Sequence, residues 1–184
     1  EISCSLVGSE MCIRDRLEAG KAESAVDYIR SRMDFLSKAE IYIDVDNDRI
    51  NSILNSKLSY AKSSGIEVIC SSSGDINGID DADLCILLGN LMDNAIEGSL
   101  ASNVDAQFIE AKLIGDDIKI RIQITNSASA ESGKNILNGE TSKTDKSAHG
   151  FGIKSIQYIV HKYKGSVNYV FEHSSIICQV ILYK

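Results

Sequence analysis

ILLGNLMDNAIEGS, residues 86–99, is the stretch on which the reading of this chain turns. It is apolar enough for a buried helix, yet it carries Asn90, Asp93, Asn94 and Glu97 close together. At about 100° per residue, Asn94 falls about 40° and Asp83 about 20° to one side of Asn90; Glu97 falls about 20°, and Asp93 about 60°, to the other. Leu84, Leu88, Leu91, Met92 and Ala95 take the opposite side. The plain reading of such a stripe is the wet face of an amphipathic helix. Two features point further. The stripe holds short, stiff amides, and it is followed by a glycine-framed loop and a second helix start, the parts of a phosphate site. An Asn side chain offers a neutral oxygen to magnesium, a hard cation, without repelling phosphates.

Working outward, AQFIEAKLIGDDIKIRIQITNS (106–127) alternates in two runs around GDD and predicts a β-hairpin. Residues 127–148 are small, polar and aperiodic, as expected of a mobile lid. HGFGIKSIQYIVHKYKG (149–165) enters a helix through glycines and leaves it through Gly165. SVNYVFEH and SIICQVILYK then read as two strands. Upstream of the opening helix, which spans about Asp80 to Ala101, a helix fits Asp48 to Ser63 with Ile50, Ile53, Leu54, Leu58 and Ala61 inward. IEVIC (66–70) reads as a strand and SSSGDINGIDD (71–81) as loop and turn. Leu17 to about Ser37 forms a helical arm whose stripe needs a partner. The order predicts an α+β two-layer sandwich, with helices on one face of a mostly antiparallel sheet and an N-terminal helical arm.

Composition narrows the function classes. The chain has 184 residues, 43% hydrophobic and 24% charged, as ordinary globular domains have. A net charge of −7 argues against a nucleic-acid surface. No apolar run approaches the roughly 20 residues that span a bilayer, so a soluble piece is expected. The five cysteines contain no C-x-x-C pair and suit single thiols of a reducing compartment. His149, His161 and His173 lack zinc spacing.

Residues 6–16, LVGSEMCIRDR, resemble a translated sequencing adapter, whose transposase end encodes Met-Cys-Ile-Arg-Asp and then Arg or Ser. Residues 1–16 are therefore set aside from the fold. The expected division is 1–16 adapter-derived, 17–46 a helical arm and linker, and 47–184 the main domain.

GNLMDNAIEGS resembles the N box of the GHKL ATPase family, and TSKTDKSAHGFGIKSIQYIVHKYKG resembles its last G box with the lid leading into it. Both boxes are most similar to those of bacterial sensor histidine kinases. The wording NSILNSKLSYAKSSGIEV, then GNLMDNAIEGS, ITNS and HGFGIKSI, is similar to AgrC-type peptide-sensing kinases. The resemblance covers about Leu17 to Lys184.

It implies ATP and Mg2+ as cofactors, with Asn90 and Asn94 meeting the metal and the phosphates. Glu97 stands at a position often polar in the family, its role open. Gly150 and Gly152 would let backbone N–H groups approach phosphate, with His149 and Phe151 in the same box. Lys143 in TSK would meet a terminal phosphate from the lid as a point charge. Many members carry an Asp-x-Gly-x-Gly box whose Asp reads adenine; here Asn126 of ITNS stands in for it.

The implied reaction is transfer of the ATP γ-phosphoryl group to a histidine and thence to a response regulator. The N-terminal helices would build a homodimer, and the chain would be the cytoplasmic part of a membrane-anchored bacterial sensor. The accepting histidine usually lies in a His-Asp-x-x-Asn-His stretch before the arm, where the adapter-like residues stand. Two alternatives remain: a GHKL serine kinase of the anti-sigma type, or a nucleotide-binding dimerisation module without catalysis.

Overall fold

A computed structural model describes residues 42–102, 104, 106–129 and 150–184, with Gly150 and Phe151 described as backbone only. The adapter-like residues, the arm, Lys143, His149 and all of the expected lid beyond Ser129 lie outside the described residues.

Helix α1 spans Asp48–Ser63, the span that periodicity predicts. Asn47 caps it, its side-chain oxygen accepting from the backbone N–H groups of Arg49 and Ile50, both at 3.1 Å. Ile50, Leu54, Leu58 and Ala61 form its buried stripe. Strand β1, Glu67–Gly74, is longer than the apolar run IEVIC. Ser71 to Gly74, expected as loop, continue the parallel register with the next strand from Ser71↔Lys112 to Gly74↔Gly115. An edge strand needs backbone pairing and not buried side chains, so apolar alternation underestimates its length.

Helix α2, Asp81–Leu100, starts at the cap Asp80, whose carboxylate accepts from Ala82 and Asp83 N–H. Strands β2 (Phe108–Gly115) and β3 (Lys119–Ser127) form the predicted hairpin, and Asp116 closes its turn by accepting from Ile118 and Lys119 N–H, both at 3.0 Å. Helix α3 spans Gly150–Lys162 and is followed by β4 (Ser166–Glu172) and β5 (Ser175–Tyr183). The left-handed residue that ends α3 is Lys164, φ 50°, and not Gly165 as expected. Gly165 is needed for space, since a β-carbon there would stand 1.9 Å from the Ile181 carbonyl oxygen. The β4–β5 turn carries positive φ at both His173 and Ser174, as a two-residue hairpin requires.

The strands form one sheet in the order β1-β2-β3-β5-β4, with β1–β2 parallel and the other pairings antiparallel. Along β2, β3 and β5 every second residue is buried: Ile109, Ala111 and Leu113, then Ile120, Ile122 and Ile124, then Ile176, Cys178, Val180 and Leu182. All of these but Ile176 meet Leu84, Leu87, Leu88, Leu91 and Met92 of α2 and Ile156, Ile159 and Val160 of α3 in one core. The intervening strand residues, such as Arg121 and Gln179, face outward, so the period of two carries the two-layer α+β sandwich directly.

Candidate functional site

Helix α2 carries the polar stripe as its wheel predicts. Asp93, Asn94 and Glu97 are exposed and Asn90 is half-buried, while Leu91, Met92, Ala95, Ile96 and Ser99 are buried. The stripe is not uniform in use. Lys57 of α1 donates to Asp93 at 2.6 Å, so Asp93 ties α1 to α2. Asp83, expected with the exposed stripe, leaves only 15% of its side chain exposed and pairs with Lys162. Asn90 donates from its amide nitrogen to the Ile86 carbonyl at 2.7 Å, which fixes the direction of its oxygen. That oxygen lies 2.9 Å from where a β-carbon on Gly152 would stand. Asn90 on α2 and Gly152 in the first turn of α3 are thus brought into contact, and only a glycine leaves the space.

Asn94 is exposed one turn further along α2, and its side chain makes no hydrogen bond among the described residues. Its amide is available to an incoming ligand. Among those residues no cluster of three or more His, Cys, Asp or Glu is placed to hold a metal. A magnesium ion here would take neutral amide oxygens and ligand phosphates, which suits a cation that keeps few protein ligands.

Asn126, near the end of β3, packs against a different point of the same helix. It is 5% exposed, donates to the Ser127 carbonyl at 2.8 Å, and its amide nitrogen would stand 2.8 Å from a β-carbon on Gly98. Gly98 follows Asn90 by eight residues, about 12 Å along the helix. Two stations on α2 follow: Asn90 against Gly152 at one and Gly98 against Asn126 at the other, with Asn94 and Glu97 exposed on the same helix.

Sequence reasoning missed the hydroxyl network beneath the second station. Ser99 is fully buried, donates to the Phe108 carbonyl at 3.1 Å and accepts from the Ser127 hydroxyl at 3.1 Å. The signal was the small pair Gly98-Ser99 near the end of the helix, with Ser99 on its apolar side. Among the described residues the thiols are held protonated: burial pushes Cys70 and Cys178 up to about 11 and also raises Cys85.

A family model described as "GHKL domain" matches residues 79–183, more than half of the chain. The chain is 26% identical over 160 residues to "Sensor protein CitS" of Halalkalibacterium halodurans, which covers 82% of this chain and 30% of that protein. It is 27% identical over 132 residues to a "Probable C4-dicarboxylate sensor kinase" of the same organism, covering 67% and 24%. The chain thus spans less than a third of the length of these relatives. Among solved structures, the catalytic domain of histidine kinase ThkA superposes with TM-score 0.56 at 17% identity, over 76% of this chain and 92% of that one. Full-length ShkA in complex with AMPPNP superposes with TM-score 0.55 at 15% identity, over 90% and 38%. At these identities the likeness establishes the fold.

Proposed function

This chain belongs to the GHKL domain family, and on that premise we propose that it is the ATP-binding catalytic domain of a two-component sensor histidine kinase. The observation that carries the reading is the contact of Asn90 with Gly152, which joins the two boxes into one station. The names of the curated relatives, a sensor protein and a probable sensor kinase, support it.

Asn90 and Asn94 would hold Mg2+ and the phosphates, and the ion would neutralise phosphate charge. Backbone N–H groups at the start of α3, from Gly150 to Gly152, add the positive end of a helix dipole. His149, Phe151 and Lys143 would complete the phosphate end, and Asn126 with Glu97 the adenine end. The protein's part in γ-phosphoryl transfer to a histidine is then mainly positioning and charge compensation. A homodimer would present the accepting histidine, and a response regulator would receive the group. We further propose an AgrC-type, peptide-sensing and quorum-sensing parent protein, on the sequence wording of the boxes. The parent protein would be membrane-anchored; no described helix of this chain is long and apolar enough to cross a membrane.

The test is calorimetric binding of Mg-ATP to the chain, followed by incubation with labelled ATP and a separately supplied dimerisation domain carrying a His-Asp box. Binding with acid-labile label on the supplied histidine is expected. Label on serine of a supplied substrate would favour the anti-sigma type, and binding without transfer would favour a non-catalytic module. The chain alone should gain no stable label on His149, His161 or His173.

A further inference from the structure

We propose that Asp83 is a positioning residue for the phosphate end of the site, holding α3 so that Gly152 stays against Asn90. The proposal rests on the nucleotide reading above and deepens it. Two contacts fix the pairing of α2 and α3. At one, Asn90 meets Gly152. At the other, Asp83 meets Lys162 and Tyr163. Moving from Asp83 to Asn90 along α2 corresponds to moving from Lys162 back to Gly152 along α3, so the helices run antiparallel, with α3 held near both of its ends.

The Asp83 tie is more than a surface ion pair, which by itself contributes little. Its carboxylate is mostly buried and receives two donors on one oxygen, the Lys162 ammonium and the Tyr163 hydroxyl, the latter at 2.7 Å. The same hydroxyl accepts from the Asp80 N–H at 3.1 Å, joining the cap of α2 to the end of α3. The Tyr163 carbonyl accepts from Tyr183 N–H at 3.1 Å, which anchors the junction to β5. Gly152 and Lys162 are ten residues apart, about 15 Å along the helix. Gly150 to Gly152 are the first residues of α3, so they move with its axis, and a tilt at the Lys162 end displaces the phosphate-facing end. Asp83 touches no ligand; it acts through α3.

The test compares Mg-ATP with adenosine, both by calorimetry on the full chain. Asp83→Ala and Lys162→Met should weaken Mg-ATP roughly threefold to thirtyfold, the range for residues acting through an intervening element, and leave adenosine affinity unchanged. Lys162→Arg, which keeps the ion pair, should restore the ATP-to-adenosine ratio. Amide exchange at Ile153 to Ile156 should quicken in the two weakening variants. Should Asp83→Ala fail to fold, Lys162→Met carries the comparison, since its side chain lies at the surface. Equal losses for the two ligands, or an unchanged ratio in folded variants of a chain that binds Mg-ATP, would overturn the positioning role alone. Failure of the unaltered chain to bind either ligand would overturn the nucleotide reading and this proposal with it.

Discussion

The side-chain oxygen of Asn90 occupies the space beside Gly152 that any other residue would fill, 2.9 Å from the missing β-carbon. Asn90 cannot swing aside freely, because its amide nitrogen is held by the Ile86 carbonyl. Gly152→Ala should therefore displace the Asn90 oxygen and the first turn of α3 together. We expect Mg-ATP affinity to fall by about tenfold or more, about 1.4 kcal/mol per decade. Calorimetry on the folded variant checks this, and unchanged affinity would separate Gly152 from the phosphate site.

Asn94 gives the complementary case. It is exposed and makes no hydrogen bond among the described residues, so Asn94→Ala removes nothing visible from the folded state. Its effect on stability should stay within about 0.5 kcal/mol, as for surface substitutions generally. Loss of a magnesium ligand should still weaken Mg-ATP binding by about tenfold or more. A thermal melt and a titration on the same sample decide between a ligand and a solvated surface amide.

The sheet and its helices were legible because both periods are strong: two in β2, β3 and β5, and a clean apolar face on α1 and α2. The polar serines that extend β1 were not, since an edge strand is held by backbone bonds that leave no side-chain pattern. That Asn90 and Asn94 share the polar side of α2 was legible from their spacing on one helix. Asp83 looked like part of the same stripe, since a wheel locates a residue on its own helix and says nothing of what packs against it. Lys162 and Tyr163, about eighty positions away, decide its environment. Ser99 and Ser127 were hidden for the same reason.

The Asp83 carboxyl also predicts an acid response. Hydrogen bonds from Lys162 and Tyr163 hold its pKa below the usual carboxylate value. A lowered native pKa gives stability that is fully present above the unfolded value, about 3.9, and is lost as pH falls through the native value. The melting temperature of the unaltered chain should exceed that of Asp83→Asn near neutral pH. Below about pH 4 the two curves should converge. A constant gap down to pH 2 would mean that the charge of Asp83 contributes nothing.

Adjacent residues near the end of α2 should separate stability from recognition. Ser99 lies under the helix and serves the fold: its hydroxyl satisfies the Phe108 carbonyl and receives the Ser127 hydroxyl. Ser99→Ala leaves those buried groups short of partners, at a cost of about 1–3 kcal/mol. Its hydroxyl bonds to neither Asn126 nor the exposed stripe, so nucleotide affinity of the folded variant should hold. Gly98→Ala acts differently. Its new β-carbon would stand 2.8 Å from the amide nitrogen of Asn126, which is buried and already committed to the Ser127 carbonyl. Asn126 must turn or α2 must lift, and either disturbs the end of the site proposed for adenine. Gly98→Ala should therefore lose stability and also lower the preference for ATP over GTP, whereas Ser99→Ala should lose stability alone. Denaturant titration measures the first quantity and paired calorimetry with the two nucleotides the second. If Gly98→Ala keeps the full preference, Asn126 is a buried structural amide and adenine is read elsewhere.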